Sequence, residues 1–252
     1  MKKSLLLVVT VLSAFTVFAQ DAAEMITKAN EALKANKYAE AFDLYDKAMA
    51  NLGEVEVDKA INFNIGYAAM QAEKNEAALA YFDKAIEANA NVAKSWEYKG
   101  SVYNKLKDYA NALTSYEKAI ELSEEKPGSL LLNTAVTAYR LEKFETAIKY
   151  FDMAYQAGFK PEDALLNKAM AQKKMGNEEA YKQTLEAGAE KFPANKKITG
   201  ALANVFVAEG NGLYKEGVEV LNAANKKVTD GAMKTDDDAY KAIVEIAKVE
   251  FG

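Results

Sequence analysis

One spacing recurs along most of this chain and restricts what it can fold into. A small residue is followed four places on by an aromatic and three further by Ala. The copies are Ala41-Tyr45-Ala48, Ala78-Phe82-Ala85, Ala112-Tyr116-Ala119 and Ala147-Phe151-Ala154. Successive copies begin 37, 34 and 35 residues apart. Steps of three and four place all three residues on one face of a helix. A second cluster precedes each copy by about twelve residues, clearest as Trp96-Gly100-Tyr103. Between the two clusters lie short polar segments: Lys34-Ala35-Asn36-Lys37, Glu73-Lys74-Asn75, Leu106-Lys107-Asp108 and Glu142-Lys143. The unit is therefore helix, turn, helix. One such unit cannot bury its apolar face alone, so neighbours have to stack.

The small residues allow close helix approach. The spacing predicts that Gly66, Gly100 and Ala135 of the first helices face Ala78, Ala112 and Ala147 of the second, with the aromatics filling the gap toward the next unit. Trp96, Gly100, Tyr103, Ala112, Tyr116 and Ala119, at a period of 34, resemble the tetratricopeptide repeat family. The resemblance implies an all-α fold: a right-handed superhelical solenoid of about six helix-turn-helix repeats plus a C-terminal capping helix. The fifth repeat, over 161–193, keeps Ala169, Gly176, Leu185 and Pro193, with Gly188 at the small place of its second helix and Tyr181 where the family prefers Ala. The sixth, over 196–226, keeps Leu202, Ala203, Phe206, Gly217, Leu221 and Ala224, with a turn expected at Gly210-Asn211-Gly212-Leu213. The first loop between repeats, Asn51 to Val57, is stretched and reads as a hinge or a tolerated insertion.

The two ends read differently. Lys2 and Lys3 precede an apolar run from Leu5 to Val17, which is too short to span a bilayer. Val17-Phe18-Ala19 then supplies small residues at the cleavage positions. Residues 1–19 are expected to be a signal peptide that is removed, with 20–226 forming the repeat array and 227–252 a linker and the capping helix. An N-terminal anchor or buried helix is the alternative for the first segment. Export implies the periplasm or the space beyond the cell. In the tail, Thr235-Asp236-Asp237-Asp238 has the form of an N-cap and acidic first turn before Ala239, Ala242, Ile243, Ile246 and Ala247. The alternative, a Ca²⁺ site, lacks the spaced oxygen ligands, the Gly and the distal Glu of a Ca²⁺ loop.

Composition removes whole classes of chemistry. The chain has no Cys and no His. Disulfides, thiolate metal sites and His-dependent nucleophilic catalysis are excluded. The glycines at 210, 212 and 217 make no phosphate loop, since no Lys-Ser/Thr follows. Paired acids such as Glu178 and Glu179 fall on surface helices. No catalytic residue, metal site or cofactor is expected, and the chain reads as a non-enzyme. Net charge is −5, without basic blocks, so nucleic acid is not an expected partner. Nor is membrane insertion once the leader is removed.

What is left is a surface for contacts. First helices of stacked repeats line a groove. Asn64, Asn133 and Asn167 stand two places before the small residue of their first helices, and Asn30 and Asn204 stand one place after it. Asn side chains both donate and accept, so a ladder of them suits the main chain of an extended peptide. Phe63, Tyr67, Met70, Tyr98 and Tyr139 interleave with them as apolar grip. Lys94, Lys105, Arg140, Lys173 and Lys174 form a basic strip or simply a solvated face. The candidate peptide-binding set is Asn30, Asn64, Tyr67, Lys94, Tyr98, Asn133, Tyr139, Arg140 and Asn167. Some three-repeat modules of the resembled family clamp a peptide's C-terminal carboxylate with two Asn and three cations. Asn30, Asn64 and Lys94 match that set, whereas Ile26 and Tyr98 stand at two of its cationic places. The expected role is an interaction scaffold of the cell envelope that binds another protein or a peptide segment. Rival roles are a self-associating structural subunit and, remotely, a hydrolase or transferase.

Overall fold

The computed structural model describes residues 21–52 and 56–231, together with isolated positions as far as residue 244. The expected signal peptide lies outside the described residues, as do the capping helix and the Asp cluster but for isolated positions. Eleven helices occur among the described residues. The first, α1, covers 21–34. It is followed by α2 (Tyr38–Ala50), α3 (Ile61–Gln71), α4 (Asn75–Glu87), α5 (Val92–Lys105) and α6 (Tyr109–Leu122). Then come α7 (Gly128–Arg140), α8 (Phe144–Gln156), α9 (Pro161–Lys174), α10 (Glu178–Lys191) and α11 (Lys196–Thr229). They fall into two compact units, the first ending at Phe159 and the second beginning at Lys160.

In the first unit the predicted turns are present and share one construction. The main-chain N–H of Lys37, Lys74, Asp108 and Lys143 donates to the carbonyl five residues back, on Ala32, Ala69, Tyr103 and Ala138. The residue before each donor is left-handed: Asn36, Glu73, Lys107 and Glu142, with φ between 57° and 64°. This six-to-one bond satisfies a carbonyl that the helix end leaves free. Four non-glycine residues accept the conformational cost because the same turn must join each pair of helices. The turn is short, so the two helices of a repeat run antiparallel and in contact.

The core follows the repeated positions. Ala41, Tyr45, Ala78, Phe82, Ala112, Tyr116, Ala147 and Phe151 are all buried. The partners of the glycines differ from the expected ones. A Cβ placed on Gly66 meets the Phe82 ring at 2.8 Å, and one on Gly100 meets the Tyr116 ring at 2.5 Å. The aromatic of the second helix therefore lies flat on the bare backbone of its own first helix, and the alanines are not the nearest atoms. The rings also reach forward: Phe82 lies 5.8 Å, ring to ring, from Tyr98 of the next repeat. One aromatic thus ties the helices within a repeat and joins that repeat to the next.

The second unit starts with the fifth repeat, α9 and α10. Its turn uses Gly176 at φ 75°, again with a six-to-one bond from Asn177 to Gln172. Tyr181, which replaces the usual Ala, is buried together with Ala169, Leu185 and Ile198. Beyond it the structure departs from the sequence reading. Residues 196–229 form one helix that runs through Gly210-Asn211-Gly212-Leu213, where a turn was expected. Glycine permits a turn there but does not require one, because its freedom includes helical angles.

Candidate functional site

The first helices of the first unit bring part of the predicted set together. Asn30 on α1 and Asn64 on α3 line one cleft of about 310 Å³. Ala23, Ile26, Val57 and Ile61 supply its apolar walls, and Glu56 and Asp58 its acidic ones. Among the described residues no Lys or Arg lines it. Asn30 is only partly available to a ligand, because its Oδ1 accepts a 2.5 Å hydrogen bond from the Tyr45 hydroxyl. Asp58 is held by its own turn, accepting from the Ala60 N–H at 2.8 Å.

One turn along α3 from Asn64 the surface becomes aromatic. Tyr98 of α5 stacks on Phe63 at 5.7 Å with 21° between the ring planes, and lies 5.4 Å from Tyr67. Tyr67 in turn takes an edge-on contact with Tyr38 at 6.0 Å. Phe82 backs the group from the core, 6.0 Å from Phe63. The rings of Tyr38, Phe63, Tyr67 and Tyr98 are half-buried, whereas Phe82 behind them is fully buried. Burial pushes the Tyr98 phenol above its ordinary range, with the neighbouring Lys94 ammonium opposing. Offset aromatic contacts of this kind hold the rings in place before a partner arrives.

The predicted cations are engaged within the protein. Lys94 pairs with Glu97 at 2.8 Å and sits over the Tyr98 ring. Lys105 pairs with Glu73 at 2.7 Å. Arg140 donates to Asn104 Oδ1 at 2.9 Å and covers the Tyr109 ring. Lys173 lies over Tyr181. Two cations of the basic strip, Lys94 and Lys105, are thus ion-paired locally, while Arg140 and Lys173 keep their charge against a neutral amide and aromatic rings. Tyr139 packs edge-on against Phe144 at 5.6 Å, while Asn133 is exposed on α7. Asn167 belongs to the second unit, where its Nδ2 donates to the Asp163 carbonyl. There it lines an open groove with Asn204, Met170 and Leu166. Among the described residues no group of three or more acids is placed to hold a metal ion.

Sequence reasoning missed one contributor to the site, Tyr45, and one buried cation apart from it, Lys99. Tyr45 acts on the site through Asn30, and its only sequence signal was that it is the repeat's conserved-spacing aromatic with a hydroxyl. Lys99 is nearly buried between repeats, pairing with Asp83 and lying over the Trp96 ring. Burial raises the Tyr45 phenol to about 12, and burial together with the Glu117 carboxylate raises Tyr150 to about 12. Both are expected to ionise late in an ultraviolet absorbance titration. Their folded pKa lies above the unfolded value near 10, so the stability they contribute is intact below pH 10 and is lost as pH rises from 10 to 12. Tyr45→Phe is expected to remove one late step. A Tyr45→Phe titration curve identical to the parent's would contradict the assignment.

With this geometry in view, the comparisons with known proteins agree on the architecture. Tetratricopeptide repeat models match residues 26–93, 63–129 and 105–164, and a further one matches 163–195. The chain belongs to the tetratricopeptide repeat family. Among solved structures it is similar to YrrB, described as a TPR protein with an unusual peptide-binding site. That likeness has a TM-score of 0.59 and 22% identity, covering 75% of this chain and 97% of YrrB. A tetratricopeptide repeat protein from Parabacteroides merdae is similar over 91% of this chain and 99% of its own, with a TM-score of 0.58 and 16% identity. At these identities the likeness is one of fold. The serine/threonine-protein phosphatase T of Trypanosoma brucei brucei is 32% identical over 96 residues, which are 38% of this chain and 20% of that enzyme. The chain spans about a fifth of that relative's length.

Proposed function

We propose that this protein is a non-enzymatic interaction scaffold that binds an extended segment of another protein along the first helices of its first unit. The observation that carries this is the continuity of Asn30 and Asn64 on one cleft with the preformed Tyr67, Tyr98 and Phe63 group beside it. The Asn side chains address the partner's main chain, and the rings take its apolar side chains. Because Ile26 stands where a clamp would need a cation, the bound segment is internal and is not held by its C-terminal carboxylate. The surface is rigid beforehand, so ordering costs fall on the partner. YrrB, a fold neighbour described as having a peptide-binding site, makes such a use of the architecture reasonable. Asn133, Tyr139 and Arg140 extend the surface along α7.

We further propose that the protein is exported and works in the periplasm or outside the cell after loss of residues 1–19. N-terminal sequencing of protein from fractionated cells is expected to start at Gln20. A chain recovered with Met1 from the cytoplasm would remove the export proposal and leave the groove untouched.

The groove is tested with a partner first captured by crosslinking in native cells and then purified. Asn64→Ala/Tyr98→Ala is expected to weaken its binding about tenfold or more in calorimetry, with the helical circular dichroism unchanged. Binding as tight as that of the parent chain would reject the groove.

A further inference from the structure

The cleft at Asn30 and Asn64 has a charge of its own, and that charge selects among partners. Glu56 and Asp58 both line it, and among the described residues no cation does. The lysines close by in sequence do not offset them. Lys59 is exposed and stands outside the lining. Lys28 of α1 is paired with Glu24 at 2.6 Å. Glu56 has no ion-pair or hydrogen-bond partner among the described residues. Asp58 is fixed at the start of α3, where the Ala60 N–H occupies one of its two carboxylate oxygens.

The rest of the lining narrows the choice further. Ile26, Val57 and Ile61 make apolar walls below the acids. At about 310 Å³ the cleft is at the small end of the usual range for ligand sites, so it takes one long side chain. A basic side chain suits both parts, since its methylene stem packs on apolar walls while its charged head reaches the acids. An acidic side chain would meet two like charges. A purely apolar one would draw the acids away from water without pairing them. Ile61 in the cleft and Tyr67 in the aromatic group are six residues apart on α3, about 9 Å along the axis. An extended segment of a few residues therefore reaches both.

We propose that the partner segment is basic. It seats a Lys or Arg in the Asn30 and Asn64 cleft, with the charged head at Glu56 and Asp58, and lays an apolar residue a few places away on Tyr67 and Tyr98. This rests on the groove reading above and adds the sign of the partner's charge. The same acids speed the encounter with a basic segment, and salt screens that attraction.

The test selects a displayed library of random peptides on the full chain, then resynthesises the recovered peptides with both ends blocked. Peptides whose binding is lost with Asn64→Ala/Tyr98→Ala are expected to carry Lys or Arg within a few residues of an apolar side chain. Glu56→Gln/Asp58→Asn should weaken them about fivefold, the scale of exposed ion pairs, and the difference should shrink at high salt. Asn at 58 can still accept from the Ala60 N–H, so the start of α3 is kept. Groove-bound peptides that are neutral or acidic, or that bind Glu56→Gln/Asp58→Asn as tightly as the parent, would overturn the basic partner and leave the groove standing. Recovered peptides indifferent to Asn64→Ala/Tyr98→Ala, or a selection that recovers none, would reject the groove and the basic partner together.

Discussion

Phe82→Ala is expected to lower stability by about 3–5 kcal/mol, the usual cost of emptying a buried aromatic site. The Phe82 ring is fully buried. It lies on the bare backbone of Gly66 and touches Phe63 and Tyr98. Its neighbours are held by helices on either side, so the space left behind cannot close fully. The loss should appear in the denaturation midpoint, and amide exchange should quicken chiefly in α3, α4 and α5, because repeat arrays distribute stability over nearest neighbours. Phe63 and Tyr98 would also lose their backing, so partner binding should fall along with stability. A stability loss under about 1 kcal/mol would mean that the ring is not what joins these repeats.

Gly100→Ala is the second large effect, and here two forces oppose each other. In a helix interior Ala is favoured over Gly by about 1 kcal/mol. Against this, the added Cβ would stand 2.5 Å from the Tyr116 ring. That ring is buried and its hydroxyl donates to Ser101, so it has little room to give. Overpacking of this kind costs about 1–3 kcal/mol, and a net loss is expected by thermal melting. Gly200 is the control, since a Cβ there touches nothing within 4 Å. Gly200→Ala should stabilise by up to about 1 kcal/mol. A Tyr116→Ala background should relieve most of the Gly100→Ala penalty, because the two residues are in direct contact. Equal effects at Gly100 and Gly200 would refute the ring-on-glycine packing.

The repeat was legible because its cause is local. Spacings of three and four mark a buried helical face whatever lies opposite. The turns were legible for a similar reason: the segments around Asn36, Glu73, Lys107 and Glu142 interrupt the pattern at a fixed place. Asn30 and Asn64 could be assigned to one surface because equivalent positions of stacked first helices are neighbours. The partner of Gly100 was less accessible. Both Ala112 and Tyr116 share the facing side of α6, and only the packed ring shows which one fills the gap. The straight course of α11 was also hidden, since glycine at 210 and 212 is compatible with both a bend and a helix.

The sequence by itself determined the helical hairpin, its period, its close-packed core positions and the exclusion of Cys and His chemistry. These depend on residue type and on spacing within one helix or turn. Tertiary structure alone decided which groups remain free for a partner. It engaged the Asn30 carbonyl with Tyr45, placed Lys94 on Glu97 and locked Tyr98 between Phe63 and Tyr67. Those outcomes depend on side chains from different helices meeting in space, and no spacing along one strand of sequence specifies which of several polar or aromatic neighbours will meet.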